Sequence, residues 1–272
     1  MDKSEHKFKE IKAEIDIQKS TEITNQFITE LNKESPGEII KKIVNTPHLW
    51  LPRFTKVKEQ VDEIYTGSIS SIIPHVLYSP RHEKPVAILK GEDIMRFKVS
   101  QHYQLWLRLQ DIHLKEIHDN AILSHVTAED FNSLFNRKEL AAHMPFILKA
   151  IERHFSKDYI SSIHLLVPRV EGVLREHLKL AGLQTLFQTK DGSWEEKSIS
   201  KLLDQTAGVD KVINPDIIEY LRYLLFRKLG DNKRNELAHA LMEESAFKEV
   251  LSFRLILLLL LFFMPLPVEP SQ

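Results

Sequence analysis

Ten consecutive apolar residues, Leu255–Met264 (LILLLLLFFM), set the first constraint on what this chain can become. A helix that is apolar all round must be covered on every side. A bilayer span takes about 20 such residues. This run is about half that and stops at Pro265, so it reads as a buried core helix or a dimer-interface helix, with no membrane partner. The rest of the chain must supply the surfaces that cover it.

With 272 residues there is room for one large or two modest units with ample core. Formal net charge is −1, so nothing global points to nucleic acid, and any such site must be a local patch. The absence of cysteine excludes disulfides, thiolate catalysis and Cys-ligated metal. It fits a reducing cytoplasmic location. The charged start, MDKSEHKFKEIKAEID, lacks the apolar segment of a signal peptide.

Eight glycines and no long apolar/polar alternation argue for an all-α, multi-helix bundle rather than a large sheet. Helical spacing runs through 4–18 (Phe8, Ile11 and Ile15 on one stripe), 21–33, 37–45, 49–65 with Gly67 as a stop, and 97–120. The charged stretch 81–93 with Pro85 and Gly91 reads as linker, in which VAIL is at most one short strand. The chain therefore divides near residue 95, into an N-terminal helical region 1–95 and a helical domain 96–272. Thr127 and Asp130 resemble a capping box for a helix over AEDFNSLFNRKEL, and Pro145 suits the first turn of the next. In 158–181 the residues Ile160, Ile163, Leu166, Val167, Val170, Val173, Leu174 and Leu178 form an apolar stripe. Pro168 should kink or divide that helix, and Gly182 should cap it. Asp191-Gly192 signals one small hairpin near 185–197, and Asn214-Pro215-Asp216 opens a helix reaching Gly230.

The stretch with the most chemistry is Gly230–Met242, GDNKRNELAHALM. Asp231 or Asn232 is a candidate N-cap, which would put Arg234 and Asn235 in a first turn that favours anions. Asn235 and His239, four apart, share a face, whereas Arg234 and His239 lie about 140° apart round the axis. Arg234 must therefore reach over the turn, or meet a His from another subunit. Upstream, Glu171 and Arg175 are placed for an acid-first ion pair.

Arg234-Asn235-Glu236-Leu237-Ala238-His239, with Pro168, Glu171 and Arg175 before it, resembles the HEPN superfamily of helical bundles, and within it a branch of unassigned function whose motif reads RNxxxHG. The similarity covers roughly residues 155–265, and Ala240 departs from it where the branch has Gly. The resemblance implies a metal-independent endoribonuclease with a site where two copies meet, acting in stress or phage defence, including toxin–antitoxin systems. It implies His239 as the base for the RNA 2′-OH, Arg234 on the phosphate, and Asn235 and Glu171 in support. Arg175, Lys228 and Lys233 are further candidates for phosphate contact, and residues 1–95 for docking a protein partner. No cofactor and no metal are called for.

The alternatives stay open: an inactive dimerisation or binding module of the same type, or nucleotide or RNA binding without cleavage. Arg234 also reads as a solvated surface charge, His239 as a satisfied buried histidine, and Glu171 with Arg175 as a simple helix-face pair. The run His102, His113, His118, His125 has no H-x3-H or HExxH spacing, so it is not read as a zinc site. Neither a GxSxG nucleophile, a P-loop nor GxGxxG is present.

Overall fold

In the computed structural model, which describes residues 17–263 apart from 70–71, 79–84, 136, 206 and 228–229, the apolar run as far as Phe263 lies in a helix buried from Ser252 to Phe263. The expected stripe of Phe8, Ile11 and Ile15 lies outside the described residues. In chain order the helices are α1 (Ile17–Leu31), α2 (Pro36–Val44), α3 (Phe54–Tyr65), α4 (Glu92–Ile117), α5 (Leu123–His125) and α6 (Met144–Phe155). They continue with α7 (Tyr159–Leu180), α8 (Ile199–Gln205), α9 (Val209–Val212), α10 (Pro215–Leu225), α11 (Lys233–Ala238) and α12 (Glu249–Phe263). A π-helical turn, His118–Ile122, joins α4 to α5.

The fold is all-α with two small antiparallel pairs. In one, β3 (Leu186–Gln188) and β4 (Trp194–Glu196) pair Leu186 with Glu196 around the turn at Asp191-Gly192, as the sequence signalled. The other, β1 (His75–Tyr78) with β2 (Pro85–Leu89), occupies part of the stretch read as linker. It pairs His75 with Leu89 and alternates, so Ile88 and Val76 are exposed while Leu89 is buried. Among the described residues no helix is long and apolar enough to cross a membrane.

Helix α12 packs against α7, α6, α2 and α4, and these helices cover it on all sides. Leu31, Ile39, Ile43 and Trp50 lie in the same apolar cluster as Tyr103, Leu114, Ile151, Val170 and Leu258. A division at residue 95 would thus fall inside α4, with both parts sharing one core.

Local chemistry sets the helix ends. Asp158 caps α7 by accepting from the Ser161 N–H (3.0 Å), and Asn214 caps α10 by accepting from the Asp216 N–H (2.8 Å). Asp216 in turn accepts from the Phe54 N–H at 2.8 Å, capping α3 from a distant part of the chain. At the other end of α7, Gly182 takes φ 76°, and the N–H of Leu183 reaches back to the Leu178 carbonyl (2.9 Å).

Three local expectations are corrected. Pro168 does not divide α7, which runs unbroken through it. The proline removes one backbone donor, while Ile163, Leu166 and Val167 before it and Val170, Val173 and Leu174 after it are all buried and hold the helix together. Ile160 is not part of that stripe: it is 45% exposed in the first turn. Thr127 does donate to Asp130, from backbone N (2.7 Å) and Oγ1 (2.8 Å), but only the 3-10 turn Glu129–Phe131 follows.

Candidate functional site

The Gly230–Met242 stretch begins with a turn tied to the end of α10. The N–H groups of Asp231 and Asn232 both donate to the Tyr223 carbonyl, at 3.0 and 3.3 Å. A Cβ on Gly230 would stand 2.5 Å from that oxygen, so only glycine fits. Asn232 then enters α11 in the left-handed region, φ 48°, and makes no side-chain cap bond. Asp231 accepts instead from the Tyr223 hydroxyl (3.3 Å), and burial raises its carboxyl pKa. The capping expectation therefore fails, and so does the anion site built on it. A helix of six residues, Lys233–Ala238, has too small a dipole to hold an anion at its start.

Arg234 is about half exposed and donates from Nε to Glu171 Oε2 (3.3 Å). Glu171 Oε1 accepts from Arg175 Nη2 (3.2 Å), so one carboxylate on α7 is bracketed by two guanidiniums. Arg175 is only 15% exposed, and its Nη1 also donates to the Lys197 carbonyl (2.7 Å) and to Glu196 Oε2 (3.0 Å). Those bonds fix it beside Glu171. The two segments singled out in the sequence thus meet, across 63 residues, at Glu171.

His239 is exposed just past the last turn of α11, and its ring has no hydrogen-bond partner among the described residues. Asn235 does not hold the ring, since no side-chain bond joins them. Lys233 pairs with Glu236 (3.3 Å), and Lys228 lies outside the described residues. After His239 the chain reverses: Leu241 N–H donates to the Glu236 carbonyl (2.7 Å) and Ala240 N–H to that of Leu237 (3.1 Å). Ala240 sits there with φ 53°, a glycine-type position. Replacing Ala240 with Gly is expected to stabilise the protein by about 0.5–1 kcal/mol, since relief of the left-handed strain exceeds the entropy glycine loses on folding. Chemical denaturation checks it.

A cleft of about 320 Å³ lies on another side of this stretch, and none of Arg234, Asn235 or His239 lines it. Arg108, Asp111, Tyr220, Asp231, Lys248 and Arg254 do. Arg254, buried on α12, contacts Asp111 Oδ1 at 2.5 Å and donates from Nε to the Trp50 carbonyl (3.2 Å), while its Nη2 has no partner among the described residues. The sequence signal for this group was a single arginine beside an otherwise apolar run.

Searches against family models, curated proteins and solved structures found no match to the chain. The class is therefore defined by its own architecture: an all-α bundle around a central apolar helix, with an Arg–Glu–Arg bracket between α7 and α11 and an exposed histidine just past the end of α11.

Proposed function

We propose that this protein is a metal-independent endoribonuclease of HEPN type, with Arg234 and His239 as its catalytic residues. The single observation that carries the reading is the Glu171 bracket, which joins the PxxExxxR and RNxxxH segments into one surface. Glu171 holds Arg234 by Nε and leaves both of its Nη groups for a phosphate. His239, unpartnered and exposed, is free to accept the proton of an RNA 2′-OH. Glu171 and Arg175 act as positioning residues. Since Arg234 lies on the α7 side of α11 and His239 past its end, the two converge on one phosphate when a second copy contributes one of them.

The test is cleavage of RNA in the presence of chelator by wild type, Arg234→Ala and His239→Ala. Equal activity in all three removes the enzymatic reading. Mixing the two inactive variants is expected to restore about a quarter of wild-type activity, because half of the dimers are mixed and each carries one intact site. A role in stress or phage defence follows from such an activity by analogy alone.

A second reading has its own support: Ala240 in a glycine position and the absence of His239 from the cleft fit a module that dimerises or binds without cleaving. Dimers that bind RNA and leave it intact would favour it.

A further inference from the structure

Away from the motif, a row of polar side chains runs between helices through the buried interior. Ser162 Oγ on α7 donates to the Ala150 carbonyl on α6 (2.8 Å). Ser252 Oγ on α12 lies 2.8 Å from Ser162 Oγ, His154 Nδ1 lies 2.9 Å from Ser252 Oγ, and His118 Nε2 lies 2.8 Å from His154 Nε2. His118 Nδ1 ends the row, 3.3 Å from Asp119 Oδ1 and 3.3 Å from Glu249 Oε1. Ser162, Ser252, His154 and His118 are all buried.

Both ends of this row only accept: a carbonyl at one, carboxylates at the other. Between them stand two hydroxyls and two neutral imidazoles, each with one hydrogen to give. Four hydrogens must serve six contacts. Because Ser162 donates to Ala150, Ser252 must donate to Ser162, His154 to Ser252, and His118 Nε2 to His154. The ring nitrogen of His118 left without hydrogen is Nδ1, which turns a lone pair toward two anionic oxygens. Glu249 Oε1 has one other partner, the Tyr159 hydroxyl at 3.0 Å, and a cation between the three atoms would satisfy the lone pairs that face one another.

The distances admit a metal ion. A four-coordinate ion with bonds of about 2.0–2.1 Å keeps neighbouring ligand atoms about 3.3 Å apart, the separation of His118 Nδ1 from both carboxylate oxygens. The outer nitrogen of His118 donates to a fixed acceptor, as metal-bound histidines do. The π-helical turn that begins at His118 is wider than an α-turn, which lets adjacent His118 and Asp119 face Glu249 together.

We propose that His118 Nδ1, Asp119 and Glu249 form a divalent-cation site of the zinc class, with its fourth position open on the side of the partly exposed Asp119. Lys115 sits on the outer oxygens, its Nζ 2.7 Å from Asp119 Oδ2 and 3.0 Å from Glu249 Oε2. It is half exposed on a flexible stem, so it swings out and weakens the site without blocking it.

The experiment is calorimetric titration of the full chain, stripped with chelator, with Zn²⁺ alone at neutral pH. Expected are saturation at one equivalent, weakening of about ten-fold or more in Glu249→Gln and in Asp119→Asn, and several-fold tightening in Lys115→Met. Asp119, being partly exposed, gives a variant that keeps the fold if the Glu249 variant does not. Binding that never saturates at one equivalent, affinity equal in the folded variants and wild type, or nitrogen NMR showing both His118 nitrogens protonated with zinc present would each overturn the proposal. No RNA is present in the titration, so its failure is separate from failure of the Arg234–His239 reading.

Discussion

Replacing His239 with alanine is expected to lower the rate of RNA cleavage in chelator by about 10²–10⁴-fold, the usual value of a general base. Among the described residues the ring has no partner to lose, and it is exposed, so the variant should fold and melt as the wild type does. That separates the loss from instability. Gel analysis of single-turnover cleavage, with thermal melting alongside, checks both halves. A His239→Ala protein that cleaves at the wild-type rate would leave the binding-module reading.

The second large effect concerns stability. Replacing Asp111 with alanine is expected to cost about 3 kcal/mol, the low end for breaking a buried pair, because the Asp111 side chain is itself 43% exposed. It would leave the Arg254 guanidinium, 5% exposed, with the Trp50 carbonyl as acceptor and no carboxylate in direct contact among the described residues. The melting temperature should fall by about 6–12 °C. Arg254→Met removes the charge instead of orphaning it, and should change stability by no more than about 1 kcal/mol. Melting of the two variants side by side checks the asymmetry. It would fail if Arg254→Met were the more damaging.

What could be read from the sequence was local. Asp158, Asn214, Gly182 and the Asp191-Gly192 turn act within a few residues, and each does what its chemistry dictates. The burial of α12 was also legible, since a helix without a polar face has few places to go. Where local signals misled, longer-range packing decided. Thr127 and Asp130 make their contact, yet a single 3-10 turn follows. Asn232 is drawn into a left-handed turn because its N–H and that of Asp231 are fixed on the Tyr223 carbonyl.

At the candidate site, the resemblance grouped Arg234, His239, Glu171 and Arg175, with Glu171 in a supporting role. The residues alone left open whether Glu171 would meet one arginine or both, because nothing local links α7 with α11. The His118, Asp119 and Glu249 cluster was beyond reach for the same reason: a search for metal spacing among the histidines could not anticipate a carboxylate from α12.

One buried cation has a wider consequence. Arg254 binds the carbonyl of Trp50, between α2 and α3, and the carboxylate of Asp111 on α4, while standing on α12. Pulling any one of these three regions away takes a partner from a buried guanidinium, so partial opening carries a heavy penalty. Backbone amides of α2, α4 and α12 should therefore exchange with deuterium through a single shared event, and the chain should lose its order all at once rather than piece by piece.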